Sequence, residues 1–254
     1  MKYILLLLAH FIGDYLFPFT KLEQRSVLHK GMLILRSLIY SCCILLALCI
    51  FMPLWRVLVF WILIGTAHAI ADFVCLLSKQ KVDQKSRNSR SAHLIVYVTA
   101  RSAIILIVMI CGYFLGPPSQ FGAYIFAFLL KHLTWIQLFN GLIVLLMLMI
   151  CSRPTAEFIK NVFISLSFQD DLPLDQSDAQ NKSGYIIGIL ERIIILILGF
   201  KGQLGAIGFV LAAKSLARYK QLEDQLFAEK YLIGTLLSAA ISLTCVAIGQ
   251  ALWL

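Results

Sequence analysis

Charged residues are scarce in this sequence. Of its 254 residues only 14% are charged, and 60% are hydrophobic, whereas a soluble domain usually has about 25% charged and about 45–50% apolar residues. A lipid bilayer explains this excess better than a large water-soluble core, because it accepts apolar surface on every side of a helix. The composition therefore predicts an all-α, polytopic transmembrane helical bundle.

The motifs of several common enzyme classes are also absent. The sequence contains no nucleophile elbow, phosphate-binding loop or nucleotide motif. Its seven cysteines include no Cys-x-x-Cys pair and lie in or at the ends of apolar runs, which is typical of small membrane-buried side chains. The net charge of +9 comes from loops between apolar runs, so the positive-inside bias and anionic lipid headgroups account for it, and no nucleic-acid partner is expected.

Apolar runs of about 20 residues, the length that spans a bilayer, divide the chain into about eight predicted spans. The fifth is too long for one simple span, because Lys131-His132 and Asn140-Gly141 interrupt it. The sixth and seventh are separated only by Lys201-Gly202, which predicts a tight helical hairpin. The predicted spans are 2–19, 31–52, 54–77, 92–115, 121–151, 184–200, 203–218 and 231–253.

A polar segment divides these spans into two groups. Residues 152–183 begin with an amphipathic stretch and end in an acidic sequence rich in Pro, Ser and Asp, which predicts a flexible linker. We therefore expect a five-span unit over 1–151 and a three-span unit over 184–254. Lysine and arginine are concentrated in alternate loops, which places those loops in the cytoplasm of a bacterial inner membrane and both termini outside.

A His-x-x-x-Asp pattern occurs twice. His10 and Asp14 lie in the first predicted span, and His68 and Asp72 lie in the third, with an aromatic residue after each Asp. In each pair the two side chains lie one turn apart on the same helix face. An Asp at the centre of a membrane helix costs about 2.5–3.5 kcal/mol on insertion scales. Two copies therefore favour a shared polar site near the predicted cytoplasmic ends of their helices.

His93, in the fourth predicted span, would add a third imidazole to these two pairs. Two carboxylates and three imidazoles form a mixed N/O ligand set that suits Zn, Mn or Fe. The alternative is that each His–Asp pair only hydrogen-bonds within the helix packing. Arg36 and Arg101 lie inside helices and are candidate ion-pair partners for the aspartates. The candidate metal ligands are His10, Asp14, His68, Asp72 and His93, and Arg36 completes the predicted polar site.

The C-terminal spans carry a different charged group. Glu191 and Arg192 lie inside the sixth predicted span, and Lys214 and Arg218 lie near the end of the seventh. In an antiparallel hairpin that turns at Lys201-Gly202, residues about ten to fifteen after the turn lie opposite Glu191. The spacing predicts a structural ion pair of Glu191 with Lys214 or Arg218.

These motifs resemble a family of bacterial inner-membrane proteins catalogued only as a domain of unknown function. The resemblance implies that the two His/Asp pairs and His93 occupy the polar positions of that family. It also implies a distant likeness to membrane-bound, metal-dependent hydrolases. The motifs that carry it are Ala9-His10-Phe11-Ile12-Gly13-Asp14-Tyr15, His68-Ala69-Ile70-Ala71-Asp72, Leu190-Glu191-Arg192, Ala206-Ile207-Gly208-Phe209, Ala212-Ala213-Lys214-Ser215 and Ala228-Glu229-Lys230-Tyr231-Leu232-Ile233-Gly234.

The sequence departs from the family pattern at three positions. Ser89 and Arg90 stand where the family has Asp and Gln, and Arg36 stands where it tends to have His. A guanidinium repels a metal ion and can replace its charge. We therefore favour a non-enzymatic scaffold, transport-like or accessory module, whose partners are the lipid bilayer and another membrane protein or a second copy of the chain. The alternative is a metal-dependent, hydrolase-like enzyme that acts on a lipid or a lipid-linked phosphate.

Overall fold

A computed structural model of the chain describes residues 1–15, 29–80, 87–166 and 174–253. All regular structure in these ranges is helical, as the composition predicts. The helices are α1 (Lys2–Tyr15), α2 (His29–Cys49), α3 (Leu54–Gln80), α4 (Arg87–Tyr113), α5 (Gln120–Leu130), α6 (Trp135–Cys151), α7 (Arg153–Ser165), α8 (Leu174–Phe200), α9 (Leu204–Ala217) and α10 (Gln225–Leu252), with a 3₁₀ helix at Tyr219–Glu223 before the last.

Four stretches in the described ranges are long and apolar enough to cross a membrane: Trp55–Lys79, Ser89–Tyr113, Trp135–Ser165 and Gln225–Leu252. Their length and composition are consistent with a membrane protein. Shorter apolar helices occur at Leu35–Cys49, Gln120–Leu130 and Leu204–Ala217. The predicted count of eight spans is therefore not confirmed and stays a prediction.

The chain forms two compact units, Met1–Leu146 and Met147–Trp253, and the division falls inside α6. In the first unit, α1 packs on α2, α2 on α3, α3 on α4, and α4 returns to α1, which makes a closed four-helix arrangement. Its centre is filled by large apolar side chains that are almost fully buried. They include Leu6, Ile44, Leu48, Val57, Ile64, Ile104 and Val108.

The fifth predicted span is broken where Lys131-His132 interrupts it. The helix ends at Leu130 and a new one begins at Trp135. The second predicted interruption, at Asn140-Gly141, is wrong, because α6 runs through it without a break. Helix α5 is held against the end of α2 by Ser119, whose hydroxyl donates to the carbonyl oxygen of Cys49 at 2.7 Å. An interior Asn-Gly pair costs helix propensity, but α6 has buried apolar residues on either side of it, at Leu138 and Ile143, and packing of this kind stabilises a helix.

The predicted linker needs correction over part of its length. Residues 174–183 form the first turns of α8, whereas residues 167–173 lie outside the described ranges. No proline or glycine occurs between Leu174 and Ser183, so nothing in this polar stretch breaks a helix.

The predicted hairpin at Lys201-Gly202 is present between α8 and α9. Gly202 has a φ of 70°. Its N–H donates to Gly199, and the N–H of Gln203 donates to Leu198. This is the Schellman pattern, in which a residue in the left-handed region ends the helix and satisfies its last carbonyls. Glycine suits the position because it adopts that backbone conformation without a steric cost.

Candidate functional site

The two His-x-x-x-Asp segments lie in the interior of the first unit. Asp14 is in the last turn of α1, and Asp72 lies about two turns before the end of α3. The described side chains of His10, Asp14, His68 and Asp72 are all buried. Buried carboxylates are tolerated only when they are paired or hydrogen-bonded, so their partners determine what this site is.

Two arginines from the other two helices supply those partners. Arg36 of α2 donates from Nη2 to Oδ1 of Asp14 at 2.5 Å, and its Nε lies 3.6 Å from Oδ2 of Asp72. Arg101 of α4 places Nη1 2.8 Å from Oδ2 of Asp14 and Nη2 3.1 Å from Oδ1 of Asp72. Each guanidinium therefore contacts both carboxylates. We call these four residues the Asp–Arg cluster.

His68 lies between the two aspartates of the Asp–Arg cluster. Its Nε2 is 3.4 Å from Oδ1 of Asp14, and its Nδ1 is 3.5 Å from Oδ2 of Asp72. The ring of Tyr40 stacks on the imidazole with 3.7 Å between centroids. The Tyr40 hydroxyl is hydrogen-bonded to Nδ1 of His10 at 3.1 Å. The second pair's imidazole thus contacts both carboxylates, whereas the first pair's imidazole contacts the tyrosine.

Only part of the predicted metal-ligand set converges. Asp14, His68 and Asp72 each offer a ligand atom within 4.8 Å of the others. His10 is bound to Tyr40, and its ring centroid is 6.4 Å from that of His68. His93 is buried on α4, where its Nδ1 is 2.8 Å from the hydroxyl of Ser78. Two carboxylates and one imidazole remain as a compact set of candidate ligands.

The charges of the Asp–Arg cluster balance without a metal ion. Asp14 and Asp72 contribute two negative charges, and Arg36 and Arg101 contribute two positive ones. Two unit charges 4 Å apart interact by about 4 kcal/mol at an effective dielectric constant of 20, and a divalent ion doubles that value. A metal ion bound by the same carboxylates would therefore be repelled by two guanidinium groups within a few ångströms.

Sequence reasoning gave no role to Tyr40 in this site. Tyr40 follows Arg36 by four residues, so both lie on the same face of α2, and that spacing is the signal that would have found it. Glycine at position 13 lets this face approach α1, since a Cβ there would be 3.0 Å from the Cα of Tyr40.

The second unit contains the other charged group. Lys214 of α9 donates from Nζ to Oε2 of the buried Glu191 of α8. The partner of Glu191 is therefore Lys214 rather than Arg218. The same ammonium donates to Oγ1 of Thr235 at 3.2 Å and lies 5.3 Å from the ring centroid of Tyr231.

Arg192, the next residue in α8, is buried and binds neutral oxygen atoms. Its Nε donates to the carbonyl oxygen of Cys151 at 2.5 Å, and its Nη2 donates to that of Ser152 at 3.1 Å. Its Nη1 donates to Oγ of Ser238 at 3.2 Å. The first two carbonyls lie at the break between α6 and α7, where the last carbonyls of a helix lack partners and carry partial negative charge. Arg192 therefore caps the end of α6.

Comparison with known protein families gives a match in the N-terminal part of the chain. Residues 3–121 match the family described as "Protein of unknown function (DUF3307)", a range that contains the whole Asp–Arg cluster. Searches of the curated proteins and of the solved structures found no match. The likeness to metal-dependent hydrolases therefore stays a prediction. The N-terminal part of this chain, from residue 3 to residue 121, is therefore similar to that family of unknown function.

Proposed function

We propose that the first unit is a non-catalytic membrane module, a scaffold or accessory subunit, in which the Asp–Arg cluster joins four helices. The observation that carries the proposal is that each arginine contacts both aspartates. The donors of a guanidinium lie in a rigid plane, so one arginine that contacts two carboxylates orients them as well as neutralising charge. A hydrolytic metal centre instead needs carboxylate lone pairs for the metal and an open position for water.

The charge balance of the Asp–Arg cluster makes the loss of any one of its four side chains costly. Asp14 and His68 have fully buried side chains, and Asp72 is 6% exposed. Removing one member of such a buried network leaves an uncompensated charge, which is more costly than an apolar core would have been. The cluster therefore fixes the register of α1, α2, α3 and α4 relative to one another. A misaligned helix would leave a buried Asp or Arg side chain without its oppositely charged partner.

Metal content is the direct test of this proposal. The full chain, purified in detergent without added chelator, should contain well below one equivalent of Zn, Mn or Fe by elemental analysis. Its Tm should be the same with and without EDTA. A stoichiometric metal ion whose removal lowers Tm would contradict the proposal.

A matched pair of variants sharpens that test. Arg36→His removes one cation from the cluster and adds an imidazole, so it should gain metal-dependent stabilisation if charge balance is what excludes the ion. Arg56→His is the control, because Arg56 is exposed and lies over the ring of Trp55. Equal metal content in Arg36→His, Arg56→His and the unmodified chain would show that the arginine does not govern metal binding.

A second candidate function is a metal-dependent, hydrolase-like activity on a lipid or lipid-linked phosphate. It is favoured by the compact set of Asp14, His68 and Asp72, whose ligand atoms lie within 4.8 Å of one another. In that case a metal ion would activate water and one aspartate would act as ligand or base. A stoichiometric metal ion in the unmodified chain, together with phosphate release that Asp72→Asn abolishes, would favour this function over the first.

We also propose that the chain lies in a bacterial inner membrane with its basic loops in the cytoplasm and both termini outside. Helix α5 has 11 residues, or about 16 Å, which is too short for a hydrocarbon core of about 30 Å. The 121–151 stretch should then cross once, through α6. Reporter fusions after Lys85 and Gln176 should both give a cytoplasmic signal, and a periplasmic signal at Gln176 alone would contradict a single crossing.

A further inference from the structure

Only one of the two carboxylate oxygens of Glu191 accepts a hydrogen bond within the described ranges. Glu191 is buried, with 4% of its surface exposed. One oxygen, Oε2, accepts from Lys214, whereas Oε1 has no hydrogen-bond partner within the described ranges. A carboxylate has about four lone-pair positions, and leaving a buried one unmatched costs free energy. The second oxygen of Glu191 is therefore available to a ligand that carries positive charge.

The ammonium of Lys214 occupies a position whose surroundings suit a small monovalent cation. It lies against a carboxylate oxygen of Glu191, 3.2 Å from the hydroxyl oxygen of Thr235, and over the ring of Tyr231 at 5.3 Å from its centroid. Carboxylate and hydroxyl oxygens are ligands for hard cations, and the face of an aromatic ring attracts positive charge. All three groups come from separate positions on α8 and α10, neither of which carries Lys214.

Lys214 can leave this position without unfolding its helix. It lies in the last turn of α9, its side chain is 21% exposed, and its charge is at the end of a flexible four-carbon stem. A lysine binds a carboxylate as a point charge, without the two-point geometry of an arginine. The ammonium group of Lys214 can therefore move into and out of the site while its backbone stays in α9.

The helix that carries Lys214 is too short to cross a hydrocarbon core of about 30 Å. Helix α9 has 14 residues, or about 21 Å, and it follows the break at Gly202. The carbonyl end of a helix carries partial negative charge. In membrane transporters, short and broken helices place such ends at cation sites. The end of α9 therefore adds to the negative potential around Glu191.

We propose that Glu191 and Thr235 form a binding site for a monovalent cation such as Na⁺, with Lys214 as a built-in competitor. A monovalent ion replaces the charge of the ammonium one for one. A divalent ion would leave an excess positive charge beside Arg192, which is buried in the same turn of α8. The proposal concerns the second unit and is independent of the function proposed for the first.

The test is the thermal stability of the full chain in detergent at constant ionic strength. A ligand that binds the folded state alone raises Tm, whereas general screening is equal in salts of equal ionic strength. NaCl should raise Tm above its value in choline chloride by about 2–4 °C, and KCl should show whether the site selects by size. Equal Tm values in all three salts would overturn the proposal.

Variants separate the cation site from a purely structural ion pair. Lys214→Met removes the competitor but keeps the apolar stem, so the Na⁺ concentration for half-maximal stabilisation should fall at least ten-fold. Glu191→Gln should abolish the difference between NaCl and choline chloride. Lys201→Met, at an exposed lysine of the same unit, is the control and should behave as the unmodified chain. A Lys214→Met protein that is equally destabilised in every salt would overturn the proposal.

A second pair of variants keeps the test decisive if Lys214→Met fails to fold. Thr235→Val removes the hydroxyl ligand with little change of shape and should raise the half-maximal Na⁺ concentration several-fold. Thr235→Ser keeps the hydroxyl, so its half-maximal Na⁺ concentration should be close to that of the unmodified chain. If Thr235→Val and Thr235→Ser respond to Na⁺ alike, the hydroxyl is not a ligand and the site as proposed is wrong.

Discussion

The charged sites of the two units differ in the cation that neutralises the buried carboxylate. In the first unit Arg36 and Arg101 each contact two aspartates. In the second unit the single ammonium of Lys214 contacts one oxygen of Glu191. A guanidinium has five donors in a rigid plane, whereas an ammonium is a point charge on a flexible stem. The first arrangement places a guanidinium nitrogen near every carboxylate oxygen and fixes helices, whereas the second leaves one oxygen of Glu191 without a cation among the described residues.

The same contrast appears in the exposure of the cations. The side chain of Arg101 is 12% exposed, and that of Lys214 is 21% exposed. A buried ion pair stabilises the fold mainly because breaking it is costly, and the cost depends on whether the remaining charge can reach water. The comparison therefore predicts a large penalty for removing an arginine from the first unit and a small one for removing the carboxylate from the second.

The largest effect is expected for Arg101→Leu. It leaves Asp14 and Asp72 with Arg36 as their one guanidinium partner in the cluster, and breaking a buried pair in this way costs about 3–5 kcal/mol. The variant should have a much lower Tm in detergent or fail to elute as a single species in size-exclusion chromatography.

Two further variants serve as controls for Arg101→Leu. Arg56→Leu removes an exposed arginine of the same unit and should change Tm little. Arg101→Leu combined with Asp72→Asn removes one charge of each sign and should recover part of the loss, because the two changes are coupled. A Tm for Arg101→Leu close to that of Arg56→Leu would show that the first unit tolerates an open site as the second does.

A smaller effect is expected where backbone contacts hold α5 in the first unit. A Cβ at Gly122 would lie 2.0 Å from the carbonyl oxygen of Ile50, a backbone atom that cannot rotate away. Overpacking of this kind costs about 1–3 kcal/mol. In the second unit a Cβ at Gly234 would meet only the ring of Phe163, at 2.9 Å. Gly122→Ala should therefore lower Tm more than Gly234→Ala does.

Gly141→Ala is the control for this pair, since nothing lies within 4 Å of a Cβ at that position of α6. Replacing a helix-interior glycine by alanine there should raise the free energy of unfolding by up to about 1 kcal/mol. If Gly234→Ala lowers Tm as much as Gly122→Ala, the second unit is as rigid at its helix contacts as the first.

The smallest effect is expected for Glu191→Gln, measured in choline chloride to avoid any cation effect. The amide oxygen still accepts a hydrogen bond from Lys214, so the loss of stability should be below about 1 kcal/mol. Glu191→Ala removes the acceptor and should cost more, but less than Arg101→Leu, because the partly exposed ammonium can turn toward water. If Glu191→Ala lowered Tm as much as Arg101→Leu does, breaking the Glu191–Lys214 pair would be as costly as breaking the Asp–Arg cluster, which contradicts the comparison.

The helices, the break at Lys131-His132 and the hairpin at Gly202 follow from local sequence signals. A charged pair inside an apolar run and a glycine between two runs act within one turn of the chain. The proximity of Asp14 and Asp72 could also be predicted, because both repeats lie near the same ends of like-oriented helices. Predicting these features requires only the helical period and the alternating direction of successive spans.

What could not be predicted depends on how the helices are rotated about their axes. Tyr40 looks like an ordinary core residue in the sequence. It binds His10 and stacks on His68 only because of the face that α2 turns inward. The contact of Gly122 with Ile50 likewise depends on tertiary packing. The start of α8 at Leu174 was missed for another reason, since low hydrophobicity predicts a loop even where no residue breaks a helix.

The cap that Arg192 places on α6 has a consequence for the order in which the chain is assembled during synthesis. The guanidinium lies 41 residues after Cys151, whose carbonyl oxygen it binds. Helices α6 and α7 are therefore complete before α8 leaves the ribosome, and until then the carbonyls at their junction have no guanidinium partner. We expect the junction between α6 and α7 to reach its final structure only when α8 arrives, so that in a chain stopped before Arg192 the last carbonyls of α6 would lack this cap.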